Sequence, residues 1–346
     1  MRTALLGLLL AAAGLAQTSV SPVITAANRF LSTLSDTQHK REIYAFDDEQ
    51  QRARWSNLPV GMVPRGGIPI KEMTAAQRSA AMSLLSTILS ARGYEKVQQI
   101  MEADEVNRIQ ESGRGGGQGK GGFKQGKGPG DPQFGKENYY ISFLGEPSET
   151  KPWMLQFGGH HLALNVTVSG EHGILTPSLT GAQPALFTQD GKTVRPLGQE
   201  SDKAAALFNS LDESQRKQAV LSFRMADLVL GPGQDGKTIQ PEGLKASSMT
   251  TPQKNALLDL IAEWANIVHQ TAAAERMAQL RKDIDQTWFA WSGPIDVTPG
   301  KNISSYYRIQ GPHVVIEYAP QGLGGDPSNH VHTMYRDPTN DYGRSK

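Results

Sequence analysis

Ser304-Ser-Tyr-Tyr-Arg-Ile309, His313-Val-Val-Ile-Glu-Tyr318 and His330-Val-His-Thr-Met-Tyr335 follow one another near the end of the chain, and their reading decides the fold. Each is short, rich in aromatic and β-branched residues, and alternates apolar with polar side chains, the period of a half-buried strand. Gly311-Pro312 and Gly322-Leu-Gly-Gly-Asp-Pro327 separate them as hairpin-like connections would. Residues 139–144 and 153–168 have the same character and predict further strands. Strands that follow each other with short connections pair antiparallel.

Helices are announced by a pattern that recurs four times: Leu34-Ser35-Asp-Thr-Gln38, Met73-Thr74-Ala-Ala-Gln77, Leu211-Asp212-Glu-Ser-Gln215 and Met249-Thr250-Thr-Pro-Gln253. Each is a capping box behind an apolar staple residue. The side-chain oxygen takes an orphan backbone N–H and the Gln reaches back. Apolar residues then recur at three-to-four spacing, as in Met82, Leu85, Leu89 and in Leu257, Ile261, Trp264, Val268. We read these as recurrent helix starts rather than functional repeats, and their uneven spacing excludes a solenoid. Helices segregated from a run of strands predict an α+β fold, a mainly antiparallel sheet flanked by capped helices in a single large domain.

The 346 residues carry 35 basic and 34 acidic side chains and no cysteine. The balance excludes a global basic field for nucleic acid. The missing cysteine excludes disulfides, thiolate metal sites and a cysteine nucleophile. Residues 1–16 have a minimal basic start, an uncharged apolar run and small residues before Gln17, which predicts a signal peptide too short to span a bilayer. The mature chain, residues 17–346, is therefore expected to be exported, periplasmic or extracellular, with no membrane span. Residues 113–136 are dominated by glycine interleaved with Lys and Arg. No apolar face can form there, so a flexible insertion is expected rather than a nucleic-acid tract.

Chemistry is left to His, carboxylates, hydroxyls and backbone. Six of the eight histidines fall in two regions, His160, His161, His172 and His313, His330, His332. Along an unbroken strand from 153 to 168, Met154, His160, Leu162, Leu164, Val166 and Val168 would share the core face. Trp153, Phe157, His161, Ala163, Asn165 and Thr167 would share the other, unless a bulge at Gly158-Gly159 shifts the first half. In the last strands His313, Val315 and Glu317 share a face, and His330, His332, Met334 and Arg336 share another. His-x-His on a strand aims two imidazoles the same way, about 7 Å apart along the chain. Two His with a carboxylate is the usual composition of a reactive zinc or non-haem iron site. His161, His330, His332 and Glu317 are thus the candidate ligands of a divalent transition metal (zinc, iron or copper). His161, Glu317 and Arg336 are the candidate catalytic residues, His161 or Glu317 as acid or base and Arg336 as a clamp on an anionic substrate; Asn165, Arg336 and Asp341 would line the side of a small-molecule substrate or ligand, and His160 would lend support. The same residues could instead form a metal-free polar cleft or serve structure. No G-x-S-x-G elbow, H-E-x-x-H pair or phosphate loop occurs.

Several stretches in order carry a family likeness. They are Arg54-Trp55-Ser-Asn-Leu-Pro59 with Arg65-Gly66-Gly67, Phe157-Gly-Gly-His-His-Leu-Ala-Leu-Asn165, residues 177–184 and the close His330-Val-His332-Thr-Met-Tyr-Arg336-Asp337-Pro-Thr-Asn340-Asp341-Tyr342-Gly343. Together the chain resembles the bacterial domain of unknown function 3500 family over nearly all of its mature length, and the glycine-rich insertion departs from that pattern. The resemblance implies one exported domain and no known activity, so it carries no catalytic residue. The reading it leaves is an exported metal-dependent enzyme, hydrolytic rather than oxidative. The alternative is a non-catalytic small-molecule or metal-binding protein of the export compartment.

Overall fold

The computed structural model describes residues 21–113, 134–170, 172–322 and 325–344. The expected signal peptide and most of the glycine-rich insertion lie outside the described residues. At the insertion's roots, a helix runs to Gly113, and the Gly135 N–H donates to Asp104 at 2.9 Å.

The chain runs through one series of elements twice. The first pass comprises helices α1 (Pro22–Leu31), α2 (Asp36–Glu42), α3 (Ala75–Ile88) and α4 (Ala91–Gly113). Strands β1 (Tyr140–Leu144), β2 (Trp153–Gly159), β3 (Leu162–Ser169) and β4 (Ser178–Ala182) follow. The second comprises α5 (Gly198–Ser210), α6 (Glu213–Ala219), α7 (Thr251–Ala265) and α8 (Gln270–Lys282), then β5 (Trp288–Ser292), β6 (Tyr306–Gly311), β7 (Val314–Pro320) and β8 (Val331–Arg336). Each half is a four-stranded antiparallel meander. The halves join edge to edge, giving the order β1, β2, β3, β4, β8, β7, β6, β5, antiparallel throughout this path. At the junction Thr180 pairs with Thr333, their hydroxyls 2.7 Å apart.

All four capping boxes form, on α2, α3, α6 and α7. They are also more than local stops. Gln77 donates to the Thr33 carbonyl and to Gln38, and Gln253 donates to the Ser210 carbonyl and to Gln215, at 2.8–2.9 Å. The same knot thus ties the same helices in both halves. The helix starts read from the sequence recur as a pair in each half, the caps standing 39 residues apart in the first (Ser35, Thr74) and 38 in the second (Asp212, Thr250).

The helices cover one sheet face and bury Phe157, Leu164, Val166, Trp291, Tyr307, Ile316 and Tyr318 against Phe30, Leu84, Phe208 and Trp264. Burying such side chains is worth about 1.5–3 kcal/mol each. The other face is unusually polar for a buried surface, with Ser142, Gln156, Asn165, Arg308, Glu317, His332 and Arg336 all under 9% exposed. Segments from the 43–67 and 221–243 regions and the chain's end cover it, and each polar group there must find a partner.

Residues 153–168 are not one strand. β2 and β3 form a hairpin whose two-residue turn is His160-His161. Gly159 pairs with Leu162, so parity resets across the turn. Leu162, Leu164, Val166 and Val168 face the helices as expected, but so do Trp153, Leu155 and Phe157, while Met154 turns to the polar face.

Candidate metal centre

Three elements bring three imidazoles together. His161 sits in the β2–β3 turn with φ +60, a left-handed conformation that a side chain other than glycine's adopts at a cost. His330 follows the short 3-10 turn Pro327–Asn329 and immediately precedes β8, and His332 lies one residue inside that strand. Opposite His332 on β4 is Gly181. A Cβ there would sit 2.8 Å from the Val331 carbonyl oxygen, 3.2 Å from His161 Cδ2 and 3.3 Å from His332 Cδ2. The glycine is what leaves room for both rings.

His330 Nε2 lies 3.0 Å from His161 Nε2 and 3.1 Å from His332 Nε2. A proton on His330 Nε2 can serve one of these contacts, whereas a metal ion serves all three nitrogens at once. Ligands 2.0–2.1 Å from zinc stand about 3.3 Å apart in a tetrahedron and about 2.9 Å apart at an octahedral right angle, the range seen here. His161 and His332 are buried, and their protonated forms are disfavoured. Burial holds His161 well below the usual histidine value, with His160, His332 and His330 adding to it. Burial also lowers His332, against the opposing pull of Asp227. Neutral imidazoles are the form that binds metal.

An outer layer fixes the rings. His332 Nδ1 lies 3.2 Å from Asn57 Nδ2 and 3.8 Å from Asp227 Oδ1. Asp227 is itself held by Gln321 and by the Leu228 N–H. His160 lies against His161 with ring centroids 3.6 Å apart and planes tilted by 33°, bonds Asp104 through Nδ1 at 2.6 Å, and accepts on its carbonyl from Tyr139. Asp104, His160 and His161 also form a compact, fully buried cluster. His161 Nδ1 is buried with no hydrogen-bond partner among the described residues.

A family model described as "Protein of unknown function (DUF3500)" matches residues 16–344. The chain is a DUF3500 protein. No curated protein and no solved structure matches it.

In this DUF3500 chain the predicted residues divide sharply. His161, His330 and His332 converge, and His160 supports them. Glu317 does not join them. Its carboxylate accepts from the Val229 and Leu230 N–H groups and from the Tyr306 hydroxyl, at 2.7–2.8 Å, and so clamps the segment that carries Asp227. Burial raises its pKa against those three hydrogen bonds and Arg308. Both oxygens already accept hydrogen bonds, and Glu317 is not grouped with the three histidines as the sequence led us to expect. Arg336 is engaged within the protein: four of its five N–H groups go to Asp235, Asp341 and the Leu230 and Gly231 carbonyls, and it lies over the Trp55 ring. Asp341 is spent on Arg336 and the Asp337 N–H rather than on a substrate. Asn165 is buried with its amide bonded to Gln156 and to the Pro177 carbonyl. His172 and His313 stand apart, beside Glu275 and Thr339.

Sequence reasoning missed Asn57, Asp104, Gly181 and Asp227. Asn57 and Gly181 lie in the stretches that carried the family likeness, and that was their available signal. Asp104 is one acid in a charged helix and Asp227 one in a loop, and neither has a local signature.

Proposed function

We propose that this protein is an exported metalloenzyme, hydrolytic rather than oxidative, in which His161, His330 and His332 hold one divalent transition metal. The gathering of three imidazoles, with His330 Nε2 within 3.1 Å of the Nε2 atoms of His161 and His332, carries the reading. Three neutral ligands leave an ion's charge uncompensated, so a bound zinc, iron or copper ion would supply Lewis acidity at its remaining positions. Asn57 and Asp227 orient His332, while the His160–Asp104 pair and Gly181 fix His161. The family match begins at residue 16, where the apolar leader ends, which supports export.

The second reading is a protein that binds a metal or small molecule without catalysis. Two of the three ligands are buried almost completely, and that favours a tightly held ion with little access. Elemental analysis of the mature protein, prepared without a histidine tag, tests both. Near-stoichiometric metal is expected, lost in the His330→Ala/His332→Ala variant. Full metal content in that variant refutes the site. Turnover of ester, amide or phosphoester substrates by the loaded protein then separates enzyme from binder.

A further inference from the structure

Beside the histidines, the polar sheet face opens into a cleft whose charges are not balanced. Arg54, Arg65, Gln51, Gln156 and Asn165 line it, with Gly158 and Leu162 at its edge flanking the His160-His161 turn. Arg65 is half-buried. Its guanidinium donates to the backbone carbonyls of Val63, Ser56, Leu58 and Gly159 and touches no carboxylate, and its Nε is buried without a partner among the described residues. Burial pushes its pKa down to about 10, opposed only by Tyr140 and Tyr139. Arg54 has no hydrogen-bond or ion-pair partner for its side chain among the described residues. Arg54 and Arg65 are half-buried, and two guanidinium groups on one cleft wall with no carboxylate beside them among the described residues can take an anion from solution. A third observation agrees. Gln51 is only 2% exposed, yet its Oε1 lacks a donor among the described residues, although its Nε2 bonds Ser142 and Gln156.

We propose that this cleft binds a small oxyanion, the carboxylate or phosphate end of the substrate, between Arg54 and Arg65. Gln51 Oε1 would accept a hydrogen bond from a neighbouring O–H or N–H of the same molecule. The wall is continuous with the histidine site, because the segment bearing both arginines also bears Asn57, which touches the His332 ring, and Arg65 bonds Gly159 at the foot of the His161 turn. This role as substrate anchor rests on the metal-site reading, but anion binding itself does not.

The test is titration calorimetry of the full mature chain with inorganic phosphate and with acetate, sodium chloride serving as control. Metal content is measured on the same batches. Saturable binding of one oxyanion is expected, weakened about tenfold or more in Arg54→Gln with metal content unchanged. Arg65→Gln should lose it too, and if that variant fails to fold because Arg65 ties the loop, Arg54→Gln still decides. Preference for acetate over phosphate would identify a carboxylate substrate, and the reverse a phosphate ester. Absence of saturable binding in the parent protein, or equal binding in Arg54→Gln, overturns the proposal. Loss of metal from the parent batches would instead count against the metal centre.

Discussion

Arg336→Leu separates a structural knot from a substrate clamp. The substitution keeps an apolar contact with Trp55 but removes the cation that Asp235 and Asp341 share, along with the donors to two backbone carbonyls. Arg336 is 3% exposed, and its two acids are 29% and 19% exposed at the side chain, so solvent screens the pairs little. Removing one partner of a buried ion pair costs about 3–5 kcal/mol. For 346 residues the unfolding entropy near the midpoint is about 0.7 kcal/mol/K, so scanning calorimetry should show Tm lowered by roughly 4–7 °C. The loss should depend on pH. Burial already raises the Asp341 pKa, with Arg336 opposing that rise, so deleting Arg336 raises it further. A carboxyl whose folded pKa is raised contributes stability below its unfolded value and loses it as pH rises through the folded value. The gap between variant and parent should therefore widen with rising pH and narrow toward about pH 4. Metal content should not change. An unaltered Tm with impaired substrate binding would refute this reasoning and restore Arg336 to the substrate.

The other predictions address other parts of the molecule. Glu42 is fully buried, and burial raises its pKa well above the usual range, with the Ile68 N–H and Arg41 opposing without cancelling it. Glu42→Gln should therefore raise Tm at pH 8, and the advantage should fade as pH falls through the carboxylate range; equal Tm shifts at both ends would show that the ionised form is not penalised. Gly181→Ala places a methyl against backbone and both rings, and metal affinity should fall at least tenfold while far-ultraviolet circular dichroism stays unchanged. Unchanged affinity on metal competition would mean that the rings have slack. Gln77→Ala and Gln253→Ala break equivalent knots in the two halves and should each cost about 1–2 kcal/mol, adding in the double variant because the sites are separate. Markedly unequal or non-additive losses in denaturant titration would count against the structural repeat.

Much of the fold was legible because its signals are local. Capping boxes specify where α2, α3, α6 and α7 begin through contacts within four residues. Alternation in β7 and β8 assigns faces correctly because those strands are unbroken. The same arithmetic failed across residues 153–168, where a two-residue turn resets the parity and period alone does not reveal it. The His-x-His pair was legible for the reason β8 was. The third ring was nameable only as a candidate, since a turn rather than a strand aims it.

The sequence by itself determined the α+β class, the helix starts, the inner and outer faces of the last strands, the family and a short set of histidines. Each of these depends on neighbours along the chain. Only the tertiary structure decided which polar residues share a partner. Glu317 was read as a carboxylate to accompany the histidines and Arg336 as lining the substrate side on their strand face, and both bind backbone groups of a covering segment about a hundred residues away. Arg54 and Arg65 lay in stretches that carried the family likeness, but that they line one cleft without a carboxylate beside them among the described residues shows only in three dimensions. Charge compensation is a property of space, and the chain's order does not encode it locally.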